Sequence, residues 1–94
     1  PEIEPASLTA PFSRNLEIGD SGQEIVWLQV FLIKANTGPD AQKLAEAGTT
    51  GYFGIITKKA LAEYQEAAGI NPASGYFGSI TRTHLQNLDI PAEF

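Results

Sequence analysis

The sequence predicts a small all-α domain, and three observations support that fold class. The chain has 94 residues with 43% apolar and 18% charged residues, which is enough for one modest core. Apolar residues after Gly22 recur at steps of three and four, as on an amphipathic helix. The segment GYFGIITKKAL at 51–61 returns as GYFGSITRTHL at 75–85, and each copy places a glycine turn before a helical pattern. We therefore predict a compact orthogonal bundle of three principal helices.

The first helix is predicted over about 21–35. Ser21 and Glu24 have the spacing of a capping box, in which the hydroxyl and the carboxylate satisfy backbone N–H groups at the helix start. The apolar residues that follow leave few positions for water, as expected of the most buried helix. They are Ile25, Val26, Trp27, Leu28, Val30, Phe31, Leu32 and Ile33.

Residues 36–50 are predicted to form the longest irregular stretch. Gly38 and Pro39 interrupt any helical pattern, and Asp40 could cap one helical turn that Gly48 closes. We expect a loop with room for a single turn of helix.

The repeated segment is interpreted as a device that starts a helix twice, with a period of 24 residues. In each copy the first Gly allows a positive φ, the Phe fills the core, the second Gly caps, and the Thr bonds back to the turn. The predicted helices cover about 55–68, ended by Gly69, and about 79–88. Their predicted inward residues are Ala60, Leu61, Tyr64, Gln65, Ala68, Ile80, Leu85 and Leu88, around a centre of Trp27, Phe31, Phe53 and Phe77.

The chain divides into three predicted parts. Residues 1–11 hold three prolines and are interpreted as an extended lead-in or linker, 12–90 as the domain, and 91–94 as a tail. Because it begins at Pro1 and contains no Met, we interpret the chain as a piece of a larger multidomain protein.

Composition argues against several classes of function. The net charge of −5, with 6 basic and 11 acidic residues, disfavours nucleic acid, which requires a basic face. No stretch reaches the roughly 18 apolar residues of a membrane span, so we expect no membrane insertion. With no Cys and with His84 as the single His, a zinc centre lacks ligands, and we expect neither a metal nor a cofactor. His84 is interpreted as a helix-surface residue, and Glu63 and Glu66 as a solvated face without glycosidase chemistry.

Three signatures follow one another in a fixed order along the chain. They are Leu16-x-x-Gly19-x-x-Gly22 leading to Leu28-Gln29-x-x-Leu32, then Gly51-x-Phe53-Gly54-x-x-Thr57-x-x-Ala60-Leu61-x-x-Tyr64-Gln65, then Gly75-x-Phe77-Gly78-x-x-Thr81-x-x-x-Leu85. In that order, over about residues 12–88, they resemble the peptidoglycan-binding-like domain family. These are small three-helix modules appended to bacterial cell-wall hydrolases and other envelope proteins.

The resemblance implies a non-catalytic module that binds peptidoglycan and anchors an attached protein outside the bacterial cytoplasm. The expected partner is the glycan or the stem peptide, and the domain is expected to act as a monomer. The chain departs from the family pattern where Ile55 and Ser79 replace a Pro, and where Thr50 and Ser74 replace an Asp. These departures favour one alternative, a protein-interaction or spacer domain with the same fold. A regulatory or accessory domain of an enzyme is a second alternative.

The candidate ligand-binding residues come from the repeat. Tyr52 and Tyr76 stand beside turns whose Phe already fills the core, so their rings are candidates for contact with sugars and peptides. Lys58 and Arg82 begin their helices, where a cation beside unbonded N–H groups would suit a carboxylate. The remaining candidates are Thr57, Thr81 and Gln65. For Gln29 and Gln65 we favour an internal role, in which the side-chain amide forms hydrogen bonds with loop carbonyl and N–H groups.

Overall fold

The computed structural model describes Phe12 and residues 14–87, and this part of the chain is all-α. It contains α1 (Gln23–Ala35), α2 (Pro39–Ala47), α3 (Ile55–Ala68) and α4 (Ser79–Asn87), and no strand forms among the described residues. The all-α class is therefore confirmed, with four helices where three principal ones were predicted. No helix in the described part of the chain has the length and apolar character needed to cross a membrane.

Helix α2 is the main difference from the predicted organisation. Residues 39–47 form nine residues of helix, with Gly38 as N-cap and Pro39 in the first turn, so the prediction of a loop with one turn is wrong. Asp40 does not cap it by a side-chain hydrogen bond. The Glu63 carboxylate on α3 does so instead, accepting from the N–H groups of Asp40 at 3.1 Å and Ala41 at 3.0 Å. A carboxylate at a helix N-terminus satisfies unbonded donors and interacts favourably with the helix dipole.

The start of α1 also differs from the prediction. Gly22 is the N-cap residue, and no side-chain hydrogen bond caps the helix, so the proposed capping box is absent. Ser21 instead pairs through its backbone with Tyr52, and Glu24 forms an ion pair with Arg14 at 4.0 Å. Backbone pairing of Ser21 takes it out of the cap position.

Helices α3 and α4 begin at the two repeated turns, as predicted. Gly51 and Gly75 have φ values of +83° and +82°, which side chains rarely tolerate, and Gly69 ends α3 in the left-handed conformation. Two inward assignments are wrong: Ala68 is exposed, and Ile80 is 61% exposed. Leu88 lies outside the described residues.

The core lies between α1, α3 and the two repeated turns. Phe53 and Phe77 are fully buried, as predicted, whereas Trp27 and Phe31 pack against the core from a half-buried position. The buried apolar side chains of this cluster are Phe12, Leu16, Ile25, Leu28, Leu32, Leu44, Phe53, Ala60, Leu61, Phe77 and Leu85.

Residues 14–22, here called the linking segment, join the two repeated turns. The Asp20 N–H donates to the Glu17 carbonyl at 3.0 Å, which closes a β-turn over 17–20. Before this turn, Leu16 and Phe77 exchange two backbone hydrogen bonds of 2.9 and 3.0 Å. One end of the linking segment is thereby fixed to the second repeated turn.

The other end of the linking segment is fixed to the first repeated turn. The Gly19 N–H donates to the Phe53 carbonyl at 3.0 Å, and the Phe53 N–H donates to the Asp20 carbonyl at 2.8 Å. The Gly22 N–H adds a bond to the Gly51 carbonyl at 2.9 Å. Because a β-turn brings its ends within about 7 Å, both repeated turns meet at one place on the molecule.

Candidate ligand-binding site

A buried glutamine holds each repeated turn in shape. Gln29 on α1 is 1% exposed; its Oε1 accepts from the Gly51 N–H at 2.9 Å and its Nε2 donates to the Tyr52 carbonyl at 3.1 Å. The same Nε2 donates to the hydroxyl oxygens of Thr57 at 3.0 Å and Thr50 at 3.4 Å. One amide therefore satisfies a turn N–H, a turn carbonyl and the first-turn Thr of α3.

Gln65 on α3 repeats this arrangement at the second turn. Its Oε1 accepts from the Gly75 N–H at 2.8 Å, and its Nε2 donates to the Tyr76 carbonyl and to the Thr81 hydroxyl, both at 2.9 Å. Thr57 and Thr81 were predicted to bond back to their turns, but these contacts join them to the glutamines. The geometry agrees with the internal role favoured for Gln29 and Gln65, since both side-chain amides are buried and hydrogen-bonded within the protein.

Tyr52 and Tyr76 lie exposed at the two turns. Tyr52 is 53% and Tyr76 43% exposed, although the backbone of each is held by a buried amide. Each ring lies against the second Gly of its own turn: a Cβ at Gly54 would approach Tyr52 Cε2 to 3.1 Å, and one at Gly78 would approach Tyr76 Cε2 to 2.9 Å. The ring position thus depends on the glycine.

Each Tyr forms one wall of a surface pocket. The first pocket, beside the start of α3, has a volume of about 170 Å³. The second pocket, beside the start of α4, has a volume of about 190 Å³. Their shared lining comes from equivalent positions of the repeat and from the two glutamines. These residues are Gln29, Thr50, Tyr52, Gly54, Ile55, Ile56 and Thr57 in the first pocket, and Gln65, Ser74, Tyr76, Gly78, Ser79, Ile80 and Thr81 in the second.

The two pockets differ in chemistry. The end of α2 adds Leu44 and Ala47 to the first pocket, where Ile55 is also 57% exposed, so this pocket is apolar. Asn71 adds a side-chain amide to the lining of the second pocket, and Ser79 replaces the isoleucine. The second pocket therefore offers more hydrogen-bonding side chains around its tyrosine.

The structure separates the two predicted cations. Arg82 is half-buried and its Nη1 donates to Asn15 Oδ1, which ties α4 to the linking segment. Lys58 is exposed and lines a groove of about 260 Å³, whose lining also includes Tyr76. We call this space the charged groove; its lining residues are Glu17, Ile18, Lys58, Ser74, Gly75 and Tyr76.

Sequence reasoning missed the surroundings of His84. The residue is half-buried, and its Nε2 lies 2.8 Å from the hydroxyl oxygen of Tyr64, whose ring packs edge-on against Phe31. Burial raises the pKa of Tyr64 above the ordinary value for a tyrosine, because the charged phenolate is disfavoured away from water. His84 was interpreted as a helix-surface residue, whereas the structure makes it half-buried and bonded to Tyr64, 20 residues away. Its repeat equivalence with Ala60, which is 1% exposed, is the sequence signal that could have indicated this. Among the described residues, no group of three or more His, Cys, Asp or Glu side chains could hold a metal ion.

Comparison with known proteins identifies a family. Residues 21–85 match a family model described as "Putative peptidoglycan binding domain". Searches of curated proteins and of solved structures found no match. The matched range covers most of the chain and includes both repeated turns, both glutamines and both pockets. The chain therefore belongs to the peptidoglycan-binding domain family.

Proposed function

We propose that this chain is a non-catalytic module that binds peptidoglycan through its two tyrosine-walled pockets. In this role it anchors an attached protein at the bacterial cell wall, outside the cytoplasm, and it acts as a monomer within a larger multidomain protein. Family membership supports a peptidoglycan partner. The observation that carries the proposal is the duplicated pocket, in which the same repeat positions place an exposed Tyr over a buried, fully bonded support.

An exposed tyrosine on a rigid support suits a carbohydrate ligand. The ring offers a flat apolar face, and its hydroxyl offers a hydrogen bond. Because Gln29 and Gln65 fix the backbone carbonyls of Tyr52 and Tyr76, little main-chain freedom is lost on binding. We assign ligand contact to the two tyrosines.

The other candidate residues take different roles in this proposal. Thr57, Thr81 and Gln65 are 2%, 2% and 1% exposed and are bonded internally, so we assign them to support of the turns. Lys58 remains a candidate for ligand contact, since it lines the groove beside Tyr76. Arg82 bonds to Asn15, and we assign it mainly to the attachment of the linking segment.

Binding by one such domain is expected to be weak. Pockets of about 170 and 190 Å³ are small, and each encloses only a fragment of a polymer. A tethered catalytic domain or a second module would raise the effective concentration of this one at the wall, so modest affinity suffices for anchoring.

A sedimentation assay with insoluble sacculi tests the proposal. The 94-residue chain, Tyr52→Ala, Tyr76→Ala and the double variant are each incubated with sacculi of several wall types and centrifuged. We expect the wild type to pellet, each single variant to pellet less, and the double variant to remain in solution. Tyr52→Phe and Tyr76→Phe, which keep the ring, should retain most binding, and circular dichroism checks that helical content is unchanged. If wild type pellets with no wall type, or the double variant pellets as wild type does, the assignment fails.

A protein-interaction domain is the second candidate function. Ile55 is 57%, Ile56 41% and Ile80 61% exposed, and such apolar residues beside a pocket also suit a protein surface. Under this alternative, no wall type retains the wild-type domain. Substitution of Ile55 and Ile56 by Ser would then weaken association with the attached protein's own partner.

A further inference from the structure

We infer that the charged groove beside Tyr76 binds the peptide part of peptidoglycan, through a carboxylate at Lys58 and an amino group at Glu17. The inference rests on the proposed function and deepens it, because it places the junction between sugar and stem peptide at the second repeated turn. Three features of the described residues carry it: the unpaired charges, the apolar surface between them, and the asymmetry of the two copies.

The groove contains two opposite charges that do not pair with each other. Lys58 and Glu17 both line it, yet neither side chain has an ion-pair partner among the described residues. Both side chains are exposed and can move to meet a ligand. A ligand that carries a carboxylate and an amino group would complement both charges at once.

Apolar surface lies in the same groove as these charges. Ile18 is 46% exposed and Tyr76 43% exposed, and both line the groove together with Ser74. An isoleucine at a β-turn tip, where water is the alternative contact, gains free energy when an apolar ligand group covers it. Alternating charged and apolar contacts suit a short peptide with small side chains better than they suit a sugar.

The two copies of the repeat differ at this place. Gly75 is pressed against Lys58, so that an added Cβ would lie 2.7 Å from the Lys58 carbonyl oxygen. The corresponding neighbours of Gly51 are Val26 and the Gly22 carbonyl, which bring no cation. Arg82, the repeat equivalent of Lys58, is already bonded to Asn15. Among the described residues no cation therefore lies against Gly51 of the first turn, and of the two repeat cations Lys58 is the one without a bonded side-chain partner.

Tyr76 is common to the second pocket and the charged groove. The residue lines both spaces, so a ligand can have one part in each. The second pocket supplies the side chains of Asn71, Ser74 and Ser79 for sugar hydroxyl and amide groups. A sugar in the pocket with its peptide in the groove would bind across Tyr76, as the covalent structure of peptidoglycan requires.

The test compares Lys58→Gln with Lys59→Gln, its exposed neighbour on α3, which does not line the groove. Binding is titrated with three probes: a disaccharide carrying its stem tetrapeptide with a diamino acid, the same disaccharide without peptide, and the tetrapeptide alone. We expect Lys58→Gln to weaken binding of the peptide-bearing probe by roughly twofold to fivefold, the range for exposed charge pairs, and to leave the peptide-free sugar unaffected. Lys59→Gln should affect neither. Glu17→Gln should act like Lys58→Gln, with Glu46→Gln as its control.

Failure of the inference and failure of the proposed function give different results. If Lys58→Gln binds the peptide-bearing probe as wild type does, or weakens both sugar probes equally, the groove assignment is overturned while peptidoglycan binding stands. If wild type binds neither sugar probe, the proposed function fails. In that case, binding of the tetrapeptide alone, followed by NMR, tests the groove assignment. Changes in the amide chemical shifts of Ser74 and Gly75 that Lys58→Gln abolishes support the assignment, and the absence of such changes overturns it.

Discussion

The hydrogen bonds of two buried amides explain why the two copies of the repeated segment are so similar in sequence. Gln29 and Gln65 each form hydrogen bonds with the same three groups, a glycine N–H, a tyrosine carbonyl and a threonine hydroxyl. An amide has two donors and an acceptor oxygen, so it can satisfy all three only if the turn keeps its length and its threonine keeps its place. Each copy of the repeat is thus constrained by the glutamine that it contacts. The exposed tyrosine lies between the glycine and the threonine that this glutamine holds in place.

Replacement of Gln65 by Ala tests this role. The change leaves the Gly75 N–H and the Tyr76 carbonyl without their partner and opens a small cavity, so we expect a loss of about 2–4 kcal/mol in the free energy of unfolding. Gln42→Ala, on the exposed face of α2, is the matched control and should change stability by less than about 0.5 kcal/mol. Urea unfolding followed by circular dichroism measures both. Equal losses in the two variants would contradict the supporting role.

At the scale of elements, the turns differ in what surrounds their glycines. Gly69, which ends α3, and Gly75, which opens the second repeated turn, have nearly the same φ of +77° and +82°. A Cβ at Gly69 would have no heavy atom within 4 Å, whereas one at Gly75 would lie 2.7 Å from the Lys58 carbonyl oxygen. A comparison of substitutions at Gly69 and Gly75 therefore distinguishes the cost of backbone strain from the cost of a steric clash.

Substitution of each glycine by Ala should give unequal costs. Gly69→Ala adds only the strain of an alanine in the left-handed conformation, and it should lower the free energy of unfolding by about 1–2 kcal/mol. Gly75→Ala adds a backbone clash of about 1–3 kcal/mol, so we expect a total of about 2–5 kcal/mol. Thermal and urea unfolding of the two variants make the comparison. A Gly75→Ala variant no less stable than Gly69→Ala would show that α3 moves away from the turn at little cost.

Helix α3 could be predicted from sequence because its signals are local. Gly54 precedes it, Gly69 ends it in the left-handed conformation, and the predicted range of 55–68 agrees with the structure. Helix α2 could not be predicted in this way, since the carboxylate that caps it belongs to Glu63, more than 20 residues further along the chain. The proposed capping box failed for the same reason, because Ser21 pairs with Tyr52.

The candidate site was partly accessible from sequence. The repeat placed Tyr52 and Tyr76 beside turns whose Phe is buried, and both rings are exposed in the structure. It also suggested that Lys58 and Arg82 are equivalent, which their contacts contradict, because Asn15 reaches Arg82 from 67 residues away. Periodicity cannot reveal such partners. The Tyr64–His84 pair went unseen for a similar reason, since a lone histidine carries no sequence signal of its neighbour.

At the scale of the whole molecule, the linking segment connects the two repeated turns by backbone hydrogen bonds. It bonds to Phe77 on one side of its β-turn and to Phe53 on the other, and it adds Leu16 to the core. Phe12 packs its ring 4.8 Å from that of Phe77 and is 3% exposed. The family match begins at residue 21, so Phe12 and Leu16 lie before the matched range and their partner Phe77 lies within it. We therefore predict that the folding unit includes residues before the part that the family model recognises.

Two shortened chains, 12–94 and 21–94, test the size of the folding unit. The shorter one lacks Phe12 and Leu16, whose burial contributes about 1.5–3 kcal/mol each. It also lacks the backbone bonds that join Leu16 to Phe77 and those that join Gly19 and Asp20 to Phe53, and it keeps the bond from Gly22 to Gly51. A loss of about 3–6 kcal/mol or more is a large part of the 5–15 kcal/mol typical of a domain. We expect 12–94 to unfold cooperatively on heating and 21–94 to show a broad transition or none, as measured by circular dichroism. If 21–94 unfolds within about 1 kcal/mol of 12–94, α1, α3 and α4 hold the two turns together without the linking segment. The two pockets would then form from the matched range alone, and the hydrogen bond between Arg82 and Asn15 would not be required for folding.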